Sequence, residues 1–181
     1  MQITRTARFA LIATALMTAA PLLAAPASAA TRTDVSPKET LATLQKLLPA
    51  NLKQSQPKSL RGDQEVFNDA FVTVNDGKGA SLTEVQVGYV TFDFSCADEP
   101  NPETCRVRPD GSTIITGSSP NYRDEVGINS VTIYHRDHSF IFLSSANGTA
   151  YKHTKPTRKT PPLTTTQLTK LADNPAWRFP R

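Results

Sequence analysis

His135 and His138 stand three residues apart around Arg136-Asp137, and their type and spacing come nearest to a piece of chemistry in this chain. Two imidazoles at that spacing can share a divalent metal, but a catalytic zinc takes a third protein ligand. The remaining histidine, His153, is fixed near them by nothing in the sequence, so the pair reads as surface histidines at a turn. His135-Arg136-Asp137 also echoes a protein-kinase catalytic loop. The asparagine that should follow is absent, as are a glycine-rich phosphate loop and a magnesium-binding DFG triplet.

A second group is acidic: Asp93, Asp98, Glu99 and Glu103, with Asn101 among them. Calcium takes about six to eight oxygens, but the spacing is not that of an EF-hand and the central glycine is missing. It reads as a solvated acidic loop. No serine occupies a G-x-S-x-G elbow, and no phosphate-binding loop occurs. Carboxylate pairs depend on which strands lie side by side, so a hydrolase with scattered residues stays open. No catalytic residue, cofactor or metal is assigned.

Cys96 and Cys105 are the two cysteines of the chain. In an oxidising compartment an even count favours a disulfide, here closing a short loop that holds Pro100 and Pro102. Two cysteines alone do not make a zinc site, which normally needs four ligands.

The compartment is read from the first 29 residues. Arg5 and Arg8 precede an apolar run from Phe9 to Ala20, and Ala27-Ser28-Ala29 supplies the small-x-small pattern of a signal-peptidase site. Pro21 and Pro26 interrupt the run, whereas a spanning helix needs about 20 apolar residues. The expectation is a signal peptide over 1–29, a single secreted domain over 30–181 and no membrane span. No nucleic-acid partner is expected.

Charge is unevenly spread. From Ala30 to Ala150 there are 11 Lys/Arg against 15 Asp/Glu, whereas Tyr151 to Arg181 holds 7 Lys/Arg and only Asp173. Lys152, Lys155, Arg158 and Lys159 concentrate this charge in a proline-containing connector, 151–162. Prolines keep such a stretch out of regular structure, so its cations are expected to be exposed and mobile. Mobile cations can hold a released protein near an anionic cell-wall polymer or an acidic protein face.

The elements that must position these groups are legible in part. Ser36-Pro37-Lys38-Glu39 is a capping box followed by Leu41, Leu44, Leu47 and Leu48 at helical spacing. Lys53 to Gln64 is polar and reads as a loop. Phe67 to Val74 reads as a strand, 75–79 as a turn and Leu82 to Phe94 as a longer strand. Gly88 lies where the apolar face switches, which predicts a bulge or a strand buried on both sides. Thr113 to Thr116 resumes as strand, Gly117 to Asn121 reads as loop, and Tyr122 to Gly127 is ambiguous. Ser130 to Tyr134 and Ser139 to Ser144 form the clearest hairpin. Asn147-Gly148-Thr149 fits a glycosylation sequon but reads as a turn. Thr164 to Gln167 opens a second helix carrying Leu168, Leu171 and Ala172. The expectation is an α+β fold: one antiparallel sheet of about five to seven strands flanked by a short N-terminal and a short C-terminal helix.

The closing pattern Pro162-Leu163-Thr164, Gln167-Leu168, Leu171-Ala172 and Pro175 to Trp177 resembles the ends of small exported proteins of actinobacteria. The 75–79 hairpin, the paired cysteines and Pro109-Asp110-Gly111 are similar too. The resemblance implies export and a small fold and carries over no site residue. The functional expectation is a secreted non-catalytic binding domain whose partner is a secreted or envelope protein or an anionic cell-wall polymer. Two alternatives stand beside it. One is a protease inhibitor presenting the disulfide loop and Arg106-Val107-Arg108-Pro109, since a rigid loop lowers the entropy cost of binding. The other is the hydrolase without a recognisable motif.

Overall fold

The computed structural model describes residues 35–62, 67–101, 104–119, 125–151 and 154–180. The leader, Lys152, His153, Glu103 and 120–124 fall outside them, as does the Asp98 side chain. Helix α1 is Pro37–Leu47, and strands follow as β1 Lys53–Arg61, β2 Phe67–Asn75, β3 Ala80–Tyr89, β4 Cys105–Val107, β5 Thr113–Ser119, β6 Ile128–Tyr134 and β7 Ser139–Ala146. Helix α2, Thr165–Ala172, comes last. The strands form one open antiparallel sheet of seven in the order β1-β2-β3-β7-β6-β5-β4, and the class is α+β.

Both helices start on the caps their sequences encode. Ser36 Oγ accepts from the Glu39 amide while the Glu39 carboxylate accepts from the Ser36 amide at 2.8 Å. Thr164 and Gln167 do the same at the start of α2, at 3.2 and 2.9 Å. Each box satisfies amides that a helix start leaves without an intrahelical partner. Leu44 and Leu168 are fully buried. Trp177 seals the end of α2 by donating its indole N–H to the Leu171 carbonyl at 2.7 Å.

The core lies on one face of the sheet. Ala70, Val72 and Val74 of β2, Val85 and Val87 of β3, Ile141 and Leu143 of β7, Val131 and Ile133 of β6 and Ile114 of β5 form one cluster with Leu44, Leu48, Leu168 and Ala172. Strand residues alternate between faces, so the two helices cover the same side, α1 over β1 to β3 and α2 over β5 to β7. Their joint layer leaves the opposite side of the sheet without a helix among the described residues.

Three boundaries differ from the sequence reading. Lys53 to Gln64 was expected as loop, but Lys53–Arg61 is an edge strand paired with β2. It is almost wholly exposed, so no burial pattern marks it. Its register shifts between Ser55 and Lys58, where Gln56 takes φ 48° and Pro57 brings no amide hydrogen. Such a kink blunts an edge that could otherwise template further strands. Strand β3 stops at Tyr89 rather than Phe94, because its partner β7 begins at Ser139 opposite it. It runs through Gly88 without a register shift, and between β2 and β7 it is buried on both faces along much of its length. Finally, β5 continues through Gly117 to Ser119, paired with Ser130 to Ile128, where loop was expected.

Candidate functional site

The register on the helix-free face brings together residues that the sequence keeps far apart. One row across the sheet reads Phe71, Glu84, Ser144, Ser130, Gly117, and the next reads Asp69, Gln86, Phe142, Thr132, Ile115. Tyr151, just past β7, folds back over these rows. Glu84, Gln86, Ile128, Phe142, Ser144 and Tyr151 line a depression of about 340 Å³. This is the carboxylate neighbourhood that strand order alone could reveal.

Its polar groups form a chain. Gln86 Nε2 donates to Glu84 Oε1 at 2.9 Å, and Ser144 Oγ donates to Glu84 Oε2 at 3.5 Å. The Tyr151 hydroxyl closes on Ser144 Oγ. Glu84 is 6% exposed and Ser144 fully buried. Burial pushes the Tyr151 phenol well above its usual value, and the neighbouring Glu84 carboxylate pushes the same way. A phenolate beside a carboxylate away from water is doubly disfavoured, so Tyr151 stays protonated and serves as a donor. Half-buried Phe71, Ile115, Ile128 and Phe142 surround this polar floor. Farther along the same face a row of rings continues, with Phe140 at 6.3 Å from Phe67 and 6.2 Å from Tyr134, and Phe94 stacked on Tyr134 at 4.5 Å.

The histidines at the β6–β7 turn face different neighbours. The His135 ring packs edge-on against Phe179 at 5.7 Å, whereas His138 Nδ1 lies 3.7 Å from Asp93. Among the described residues no group of three or more His, Cys, Asp or Glu could hold a metal.

The basic connector departs from expectation at its centre. Arg158 was expected as an exposed, mobile cation. Its guanidinium instead forms a two-pronged pair with Asp76 at 2.7 and 3.0 Å, with 6% of the side chain exposed. That pairing, with help from the Lys78 amide, holds the Asp76 carboxyl below its usual value. The backbone there is clamped as well. Asn147 Nδ2 donates to the carbonyls of Arg158 and Lys159, at 3.1 and 3.3 Å, and the Asn147 carbonyl accepts from the Thr157 amide at 3.0 Å. Asn147 is fully buried, and its Oδ1 accepts from the Gly127 amide at 2.8 Å. The sequon asparagine is therefore a structural clamp. Gly79, at φ +123°, lies against the Thr157 carbonyl, where a Cβ would collide. Lys155 and Lys159 remain exposed, and Lys152 lies outside the described residues.

Cys96 and Cys105 form a disulfide with Cα atoms 5.5 Å apart. It joins a 3-10 turn, Cys96–Asp98, to the first residue of β4. Arg106 and Val107 belong to β4, hydrogen-bonded to β5, and Arg108 pairs with Asp173 at the end of α2.

The chain matches no protein-family model, no curated protein and no solved structure. Sequence reasoning missed the site because its members come from β3, β6, β7 and a loop. One faint signal was present: Glu84 and Gln86 alternate with Val85 and Val87 in β3.

Proposed function

We propose that this chain is an exported, non-catalytic binding domain that engages a secreted or envelope partner through the helix-free face of its sheet. The observation that carries this reading is the state of the groups in the depression. Ser144 is buried and hydrogen-bonded on both sides. Tyr151 is held in its protonated form, and among the described residues no histidine lines the depression. A nucleophile needs an exposed approach as well as an adjacent base; Glu84 stands beside Ser144, but the serine hydroxyl is buried beneath Tyr151. Shape and apolar walls around fixed polar groups are instead what binding requires.

Exposed Lys155 and Lys159 favour a second, auxiliary contact, a weak tether to an anionic cell-wall polymer. With Arg158 committed to Asp76, this tether is smaller than the sequence implied. Export itself follows from the leader reading, and intact mass of the released protein should place its start at Ala30 or Thr31.

The test is retention of the purified protein on an isolated envelope fraction. Phe71→Ala with Phe142→Ala should weaken retention at every salt concentration. Lys152→Gln, Lys155→Gln and Lys159→Gln together should remove only a component that is already lost at moderate salt, where exposed charges are screened over about 10 Å. Retention indifferent to the aromatic changes would sink the reading, as would turnover of any substrate abolished by Ser144→Ala.

A further inference from the structure

Among the described residues that line the depression, Glu84 is the one charged group. Glu84 is 6% exposed, and none of the ion pairs formed by described residues includes it. Burying a carboxylate without a counter-charge is costly, and a protein keeps such a group where something else supplies the charge. A carboxylate offers about four acceptor positions, and Gln86 Nε2 and Ser144 Oγ take two of them. The Tyr151 hydroxyl reaches the same carboxylate, which leaves about one position for an incoming donor.

Resting on the binding reading above, we infer that this depression is a site for a primary alkylammonium group, with Glu84 as its counter-ion. Three features select that chemistry. A guanidinium prefers both oxygens of a carboxylate in a side-by-side fork, but here each oxygen already holds a lateral donor. An ammonium is a compact point charge with three donors and needs no fork. A hard metal ion would want about six oxygens, whereas Ile128, Phe142 and the Tyr151 ring line the rest of the wall. Those surfaces suit the methylene stem of an amine, and aromatic faces attract a cation at close range. The volume, about 340 Å³, is at the small end of ligand sites and matches a short aliphatic chain. Such a group arrives either as a free diamine or as a lysine side chain of a protein partner.

Titration of the ¹⁵N-labelled protein by NMR separates these sources. The probes are 1,4-diaminobutane and N-acetyl-lysine methylamide, with calcium chloride as the metal arm. Saturable shifts at the amides of Glu84 to Gln86 and Phe142 to Ser144 are expected with at least one amine. Tighter binding of the diamine marks a small-molecule site, and tighter binding of the lysine mimic marks a protein contact. Glu84→Gln should weaken the amine by about tenfold or more through loss of a charge-assisted contact, while its melting temperature stays level or rises. Ile128→Trp, which fills the depression and spares Glu84, should abolish binding and serves if Glu84→Gln does not fold. The assignment is overturned if neither amine saturates, if Glu84→Gln binds like the parent, or if calcium takes the site in preference. Failure of the amines with aromatic-dependent envelope retention intact removes this assignment alone; loss of that dependence removes the binding reading beneath it.

Discussion

At the scale of single residues, two side chains do work that their types do not announce. Arg158 carries a positive charge in a basic segment, yet it acts as an internal strut between that segment and the β2–β3 turn. Because it holds the Asp76 carboxyl below its usual value, its stabilisation is whole above pH ~4, where the unfolded aspartate is ionised. It is lost as pH falls through the lower value of the folded state. Arg158→Gln should therefore melt earlier than the parent at pH 7, with the gap closing toward pH 2; a gap independent of pH would contradict the pairing. The Asn147 side chain ties two backbone segments together, accepting from the Gly127 amide and donating to the Arg158 and Lys159 carbonyls. Asn147→Ala leaves buried backbone groups without partners and should cost about 2–3 kcal/mol, measurable by urea denaturation. It should also raise the hydrogen exchange of the Gly127 amide, whose acceptor is the Asn147 side chain.

At the scale of elements, the helices depend on local caps and the sheet depends on long-range pairing. Thr164→Ala removes the side-chain acceptor of the α2 cap and should lower stability by about 1 kcal/mol. Thr164→Ser should restore it. This division also explains what could be read from the chain. Caps, the 75–79 turn and the β6–β7 hairpin are written in adjacent residues, and they appear where expected. Strand β1 is not legible, since an exposed polar edge offers no alternation of apolar residues. The end of β3 is not legible either, because Val90, Phe92 and Phe94 continue an apolar pattern after the neighbouring strand has run out. Phe92 is 54% exposed. The site was hidden for the same reason. Glu84 and Ser144 are 60 residues apart, and no periodicity relates them.

At the scale of the whole molecule, the disulfide fastens the long link that carries the chain from β3 at the middle of the sheet to β4 at its edge. Closing so short a loop contributes about 2.5–3 kcal/mol in the chain-entropy account. Cys96→Ser with Cys105→Ser should lose about that much in urea unfolding, with the bound state of an amine probe unchanged. Loss of binding with stability intact would show that the bridge shapes the site instead.

The order of the strands has a further consequence. β1 to β3 form one meander and β4 to β7 another, each paired only between neighbours in sequence. They become one sheet solely through β3 and β7, and Glu84 and Ser144 face each other across that seam. Contacts so distant in sequence close slowly, so the two halves should assemble first and zip together last. A ligand seated on the seam would find nothing to bind until the final step, and would then act as its latch: occupancy slows reopening of the joint between the two halves.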